Sequence, residues 1–355
     1  MSLLNTIIFD CERMKYPNTG IYYYCLNLGL ELQKKLNPNV LFYAPEKEIT
    51  HFDKNSVIKQ KTLHKILMPK LNNNFIWHTT FQHSDYIPLL DKRNKLVLTI
   101  HDLNFLYIKG ISEAKKEKYI KGLQSKINRA DAVVCVSSYV RNDVLKHCKI
   151  PPANIIKIYN GTNQLDKPLL SNKSFKPTQP YLFSIGTIKE QKNFHVIFPI
   201  LKENPNLQLI IAGVADDSNY LKKIETFFNE NGLFNGFKFV GQITEQEKAW
   251  YYHNCEAFIF TSLSEGFGLP VIEAMSAGKP VFLSRLTALP EIGGDEAYYF
   301  DNFESTSMCR LFNKGMNHFN QNREENSKRN ILRAKEFSWE KAASEYINLY
   351  NQLIS

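Results

Sequence analysis

No stretch of this 355-residue chain approaches the roughly 18 consecutive apolar residues of a membrane-spanning helix, so no span is expected. The opening residues MSLLNTIIFDCERM carry neither the basic flank nor the cleavage site of a secretory leader, which predicts a cytoplasmic protein. Cysteine is sparse. Cys11, Cys25, Cys135, Cys148, Cys255 and Cys309 form no CxxC pair and have no comb of histidines nearby, which argues against a zinc site or a disulfide framework. No GxGxxG follows the first apolar run, and no acidic residue stands where a dinucleotide ribose needs one, which disfavours a nicotinamide-dependent enzyme. Low-complexity tracts and internal repeats are missing as well. What remains is an ordinary globular composition, 43% hydrophobic and 22% charged, in a chain long for one core. Two domains are therefore expected.

Positive charge is concentrated in one half. Residues 1–173 hold 26 Lys/Arg against 14 Asp/Glu, a net +12, while the remainder holds 18 against 21, a net −3. The densest part, Ser112 to Ala130, carries Lys115, Lys116, Lys118, Lys121, Lys126 and Arg129 on what reads as a helix. Such a field attracts an anionic membrane surface or a lipid-linked diphosphate. The alternative is a solvated helix face with no partner. Nucleic acid is not expected as a partner, because no zinc finger, RNP-like motif or recognition helix accompanies the charge.

Short β-branched and aromatic runs alternate with helix-period segments in both halves. The first half offers Thr6 to Asp10, Phe75 to Thr80, Lys95 to Asp102, Ala132 to Ser137 and Ile155 to Asn160. The second offers Tyr181 to Gly186, Leu207 to Gly213, Phe237 to Gly241, Ala257 to Ser262, Pro280 to Ser284 and Ala297 to Asp301. Continuous apolar strands separated by helices predict parallel sheets covered on both faces, and hence an α/β chain of two Rossmann-like domains. A proline-bearing segment, Leu165 to Pro180, marks the boundary. The expected division is 1–170, 178–336 and a terminal helix at 337–355. That helix is capped by Ser338 and carries Trp339, Tyr346, Leu349, Tyr350 and Leu353 along one stripe, which must pack on something.

Ile21, Tyr24, Cys25, Leu28, Leu32 and Leu36 follow helical spacing, which places Gly20 at a helix N-terminus open to an anion. Asn193 reads as an N-cap for a helix bearing Phe194, Ile197 and Leu201, with Pro199 kinking it. Thr244 and Glu247 form a capping box ahead of KAWYYHN, read as structural only. The informative stretch is TSLSEGFGLPVIEAMSAG, Thr261 to Gly278. A strand ends at Ser262, a loop of Gly266, Phe267, Gly268 and Leu269 follows, and Pro270 takes the first helical position. The loop can then present backbone N–H groups to an anion, with Glu273 in the first helical turn beside it and Glu265 in the loop itself.

With its two glutamates separated by seven residues, Glu265-GFGLPVI-Glu273, this stretch resembles the signature of the retaining nucleotide-sugar glycosyltransferases of the GT-B fold, family 4. The resemblance extends through Thr99 to Leu103, Val136 to Asp143, Asn160-Gly161, the lysine loop Gly186 to Asn193, Ala288 to Gly294 and the FSW start of the last helix. It implies two Rossmann-like domains facing across a cleft, with the last helix crossing back to the N-terminal domain. It further implies a nucleotide-diphosphate sugar held by Glu273 on the ribose and Lys192 on the diphosphate. Glu265 and the amides of Gly266 to Leu269 would lie near the donor sugar, His101 would face that sugar, and Gly20 would lie near the phosphates or the acceptor. Base selection would involve the strand end Phe239 to Gln242.

The same resemblance predicts retention of configuration, no cofactor beyond the donor substrate, and a glycan or lipid-linked acceptor in O-antigen, lipopolysaccharide or capsule assembly. Location at the inner face of the membrane goes with it. No DxD-like pair is present, and Asp216-Asp217 reads as a loop, so metal independence is expected. The chain departs from the pattern where many members carry an arginine: Thr187 and Gln191 stand there instead, Thr187 being kept among the donor-contacting positions. A catalytically silent sugar-nucleotide-binding subunit is the alternative. His78 and His83, in WHTTFQHSDY, are placed in a loop, as acceptor-pocket or structural residues.

Overall fold

The computed structural model describes residues 6–68, 75–89, 94–108, 110–163, 174–233 and 236–354. The chain forms two compact units, Met1–Gly161 with Ser338–Ser355, and Thr162–Phe337. Much of the predicted boundary segment, residues 164–173, lies outside the described residues.

The first unit contains β1 (Thr6–Asp10), α1 (Gly20–Leu36), β2 (Val40–Ala44), β3 (Val57–Lys59), β4 (Phe75–Thr79), β5 (Lys95–Ile100), α2 (Glu113–Arg129), β6 (Ala132–Cys135), α3 (Ser138–His147) and β7 (Ile155–Lys157). Its seven strands run parallel in the order β3-β2-β1-β4-β5-β6-β7. Strands β2 and β3 are not among the predicted runs; β2 follows α1 after only residues 37–39, and β3 is three residues long. The α1 start is capped by Thr19, whose hydroxyl accepts the Tyr22 N–H.

The second unit contains β8 (Tyr181–Ile185), α4 (Phe198–Glu203), β9 (Gln208–Ala212), α5 (Ser218–Glu230), β10 (Phe237–Gly241), α6 (Glu245–Asn254), β11 (Ala257–Phe260), α7 (Leu269–Ser276), β12 (Val281–Ser284), α8 (Leu289–Gly293), β13 (Tyr298–Phe300), α9 (Ser305–Gln321) and α10 (Arg323–Lys335). Its six strands are parallel in the order β10-β9-β8-β11-β12-β13. The central strands β8, β9, β11 and β12 are buried on both faces and read as largely unbroken apolar runs, whereas the edge strands β10 and β13 are only partly covered.

The last helix, α11 (Trp339–Ile354), belongs to the first unit. Its stripe supplies hydroxyls as well as bulk: Tyr346 lies 2.7 Å from the Tyr24 hydroxyl of α1, and Tyr350 2.6 Å from His78 Nδ1. His78 is therefore a buried residue of β4 and not a loop residue, with its other ring nitrogen 2.8 Å from the Thr99 hydroxyl. These partners explain the position: a histidine on a sheet interior needs both nitrogens satisfied.

Two further expectations change. Asn193 is left-handed (φ 57°) and caps nothing with its side chain; Phe194–Ile197 forms a 3-10 turn, and Pro199 sits where this turn passes into α4. On α2, Lys126 turns inward to the Gln82 carbonyl (2.8 Å) and Arg129 to the Asn94 carbonyl (2.7 Å), while Lys115, Lys118 and Lys121 stay exposed. The outward basic face is thus narrower than the sequence count.

Candidate active site

In the C-terminal unit the chain leaves β8 toward one edge of the sheet and leaves β11 toward the other. Such a reversal opens a crevice outside the carboxyl ends of the two central strands. The residues that follow those two strands meet there. Lys192, after β8, places Nζ 2.5 Å from Glu265 Oε1, after β11, and 4.9 Å from the Phe260 ring centre. The two loops are stapled: the Gln191 side-chain amide donates to the Ser264 carbonyl (2.6 Å), the Leu263 N–H to the Gln191 carbonyl (2.8 Å), and the Thr261 hydroxyl to the carbonyl of Asn193 (3.0 Å). Glu265 is tied at its backbone, its N–H donating to the Thr287 hydroxyl at 3.0 Å.

Gly268 precedes α7 at φ +124°, a conformation that favours glycine, and an added Cβ would stand 3.1 Å from Leu289. The Phe267 ring is buried against Phe337, so its backbone is what this position can offer a ligand. Leu269 opens the helix and Pro270 takes its second position. Glu273 is accordingly in the second turn of α7 and not the first. The short loop is tighter than the spacing suggested, and complementing the helix dipole no longer accounts for this carboxylate, since that effect fades beyond the first turn.

Glu273 is instead held by α6. Lys248 Nζ lies 2.7 Å from one carboxylate oxygen, and the Tyr252 hydroxyl donates to the other at 2.9 Å. Lys248 is 7% exposed and also meets Glu245 at 2.9 Å. Burial alone would pull its pKa down, but Glu273 and then Glu245 more than reverse this, leaving it above the ordinary lysine value. Burial and the Glu273 carboxylate likewise push Tyr252 up, so it stays a donor. The KAWYYHN segment does form its capping box, with Glu247 accepting the Thr244 N–H, but it also fixes the second glutamate of the motif.

In the N-terminal unit, His101 follows β5 and is 8% exposed. Its Nε2 lies 2.8 Å from the Thr80 carbonyl, which can only accept, so Nε2 carries the proton and Nδ1 is the acceptor of the neutral ring. Burial lowers its pKa to about 4, with the Thr80 contact opposing and Arg13 assisting. Tyr24, one turn into α1 from Gly20, packs edge-on against it at 4.8 Å. His83 is lowered to about 4 by burial, then by Lys126 and Arg13.

The chain is similar to known proteins in sequence and in fold. The family model described as Glycosyl transferases group 1 matches residues 166–333, and that described as Glycosyltransferase Family 4 matches residues 75–164. The chain belongs to the group 1, family 4 glycosyltransferases. It is similar to the O-antigen chain mannosyltransferase B of Escherichia coli, 24% identical across 98% of this chain and 100% of that protein. It also matches the Escherichia coli serotype-specific mannosyltransferase WbdA, 25% identical over 78% of this chain but only 34% of that longer protein. In fold it resembles Anabaena Alr3699/HepE, solved in complex with UDP-glucose, with TM-score 0.77, 15% identity, and 98% and 100% of the two chains covered.

Within this glycosyltransferase the residues named from the sequence fall into two groups. Lys192, Glu265, Glu273, Thr187 and the Gly266 to Leu269 loop belong to the C-terminal unit; Gly20 and His101 belong to the N-terminal unit. Gln191, one of the two positions at which the resemblance predicts an arginine, staples the loop. Lys189 does not replace that arginine, because it pairs with Asp216 at 2.9 Å on the surface. Lys192 is the lysine that remains.

Asp10, at the end of β1, is 1% exposed and has its pKa raised to about 8, chiefly by burial. A raised carboxyl keeps a proton in the folded state that the unfolded state releases. Its contribution is therefore present below pH 4 and lost as pH rises toward 8. Asp10→Asn should flatten that slope and be the more stable protein at pH 8, since the wild type loses about 1.4 kcal/mol for each pH unit climbed within that window. Urea midpoints at pH 5 and pH 8 check it; parallel slopes in both proteins would refute the protonated Asp10.

Proposed function

We propose that this glycosyltransferase moves a sugar from a nucleotide-diphosphate donor to a hydroxyl of a growing glycan or lipid-linked glycan, with retention of configuration and without a metal, in O-antigen-type polysaccharide assembly. The observation that carries the reading is the meeting of Lys192 and Glu265 at the carboxyl ends of β8 and β11, beside a Glu273 pinned by Lys248. The similarity to O-antigen mannosyltransferases supports the setting and makes a mannosyl donor the first choice.

In this reading the donor C1–O bond to the diphosphate breaks as negative charge gathers on the phosphate oxygens. Lys192 stabilises that charge as it develops, which accelerates the step without a dedicated acid. Lys192 makes one contact with Glu265, and an ammonium has three donors, so phosphate can be bound alongside the carboxylate or in exchange for it. The acceptor oxygen bonds to C1 on the same face, and its proton passes to the departing diphosphate. Glu273 accepts the ribose hydroxyls, and His101 offers Nδ1 as an acceptor to a sugar hydroxyl. Among the described residues no group of three or more His, Cys, Asp or Glu is gathered as a metal site. No described helix is long and apolar enough to cross a membrane. Lys115, Lys118 and Lys121 would hold the basic unit at an anionic surface.

The test is transfer from GDP-mannose and other nucleotide sugars, with EDTA present, onto glycan acceptors presented on anionic or neutral vesicles, reading the anomeric configuration by NMR. Retained configuration with EDTA-insensitive turnover and preference for anionic vesicles is expected. Donor binding without turnover on any acceptor would favour the silent subunit.

A further inference from the structure

The N-terminal sheet has a reversal of its own, between β1 and β4. The residues leaving those two strands build a second constellation that the donor chemistry does not use. Arg13, three positions after β1, lies with its guanidinium 4.4 Å from the Tyr16 ring centre and 4.3 Å from that of Phe81, the latter supplied by the segment after β4. Both rings lie in contact with the guanidinium. Among the described residues, no carboxylate or carbonyl meets its edge, and its Nε is buried without a partner. An unpaired buried N–H is costly, and stacking on aromatic rings leaves the in-plane donors unsatisfied.

The neighbouring charges leave room for an anion. Glu12 is 3% exposed and gives one oxygen to Lys15, while its Oε2 is a second buried atom without a partner in the same short segment. Asp10 spends its oxygens on the Glu12 N–H and the Ser84 hydroxyl, and burial keeps it toward the neutral form. Of the two cations in this segment, Lys15 alone pairs with Glu12, and Arg13 is left without a carboxylate partner among the described residues. One orphan atom demands an acceptor and the other a donor, a pair of needs that a ligand with both an oxyanion and a hydroxyl answers.

We propose that Arg13, clamped between Tyr16 and Phe81, binds an oxyanion of the acceptor, a phosphate or a sugar carboxylate, in the plane of its guanidinium, with a hydroxyl of the same group donated to Glu12. The proposal rests on the glycosyltransferase reading. With the nucleotide sugar assigned to residues of the C-terminal unit, the reversal point of the N-terminal sheet is left for the acceptor. A planar fork is suited to bidentate phosphate or carboxylate recognition, and Lys at this position would keep the charge but lose both the fork and the stacking.

The experiment uses the full chain and residue-resolved phenylglyoxal modification read by mass spectrometry, with inorganic pyrophosphate, glucuronate and glucose as probes. Pyrophosphate or glucuronate should slow modification of Arg13 by about tenfold, the scale of one charge-assisted contact, and glucose should not; which anion protects distinguishes phosphate from carboxylate. By calorimetry, Arg13→Lys and Arg13→Gln should lose that anion affinity while UDP and GDP bind as in the wild type. Absence of protection by both anions overturns the site. Weakening of nucleotide binding in Arg13→Lys overturns its assignment to the acceptor. If no nucleotide binds the wild type, the donor reading falls, and the protection measurement still decides the oxyanion site.

Discussion

Glu273→Ala is expected to abolish nucleotide binding and, at the same time, to destabilise the C-terminal unit by about 3–5 kcal/mol, because it strands Lys248 as a buried cation without its main partner. In the proposed role the carboxylate accepts two ribose hydroxyls, and charge-assisted bonds of about 1.5–3 kcal/mol each put the loss of affinity at two orders of magnitude or more. The stability loss has a different origin and can be separated from it. Lys248→Met leaves Glu273 with Tyr252 alone and should cost a similar amount, while the double variant, with neither charge, should recover most of the stability. It should not recover binding. Urea midpoints and calorimetry with UDP and GDP on the four proteins give the cycle. Additive stability losses would show that Lys248 and Glu273 do not act as a pair, and retained affinity in Glu273→Ala would remove the carboxylate from the donor site.

This pairing also shows where the sequence stops being informative. The glutamate motif is legible because a strand end, a glycine loop and a helix start announce themselves within 18 residues. Lys248 is not, since it lies inside a capping box that already explains the local sequence, and its partner is 25 residues further on. The placement of Glu273 one turn too early has a similar cause: Pro270 marks a helix start without saying whether it is the first or second residue. His78 falls inside the predicted strand run Phe75 to Thr80, yet reading WHTTFQHSDY as a loop loses it, because the partner that shows its structural role is Tyr350, 272 residues away. Arg13 gives no signal at all, as an arginine in a single 3-10 turn, Glu12–Lys15, carries no periodicity, and only the two rings beside it and the missing carboxylate set it apart. Strands and helix starts are decided by neighbours in sequence; ion pairs, caps across strands and unsatisfied atoms are decided by the packing.

Gly213→Ala should be the most damaging single methyl in the C-terminal unit. Gly213 follows β9 at φ +143°, and a Cβ there would stand 2.0 Å from the carbonyl oxygen of Gly186, at the end of β8. The obstacle is backbone, so no side-chain rotation relieves it. Both residues are also held by the ladder, Gly186 N–H donating to Ala212 and Gly213 N–H to Gly241. Relief therefore requires the carboxyl ends of β8 and β9 to part. Strain of this kind, added to the conformational penalty, is expected to cost more than about 3 kcal/mol. Gly186 begins the loop that ends in Lys192, so the displacement should reach the lysine that faces Glu265 and lower nucleotide affinity beyond the stability effect. Gly232→Ala is the control, because Gly232 has φ +76° with nothing within 4 Å of the added carbon and should lose only about 1 kcal/mol. If urea denaturation finds the two variants equal, the close approach of Gly213 to Gly186 does not constrain the lysine loop, and the position of Lys192 must be set by the staples from Gln191 and Thr261 alone.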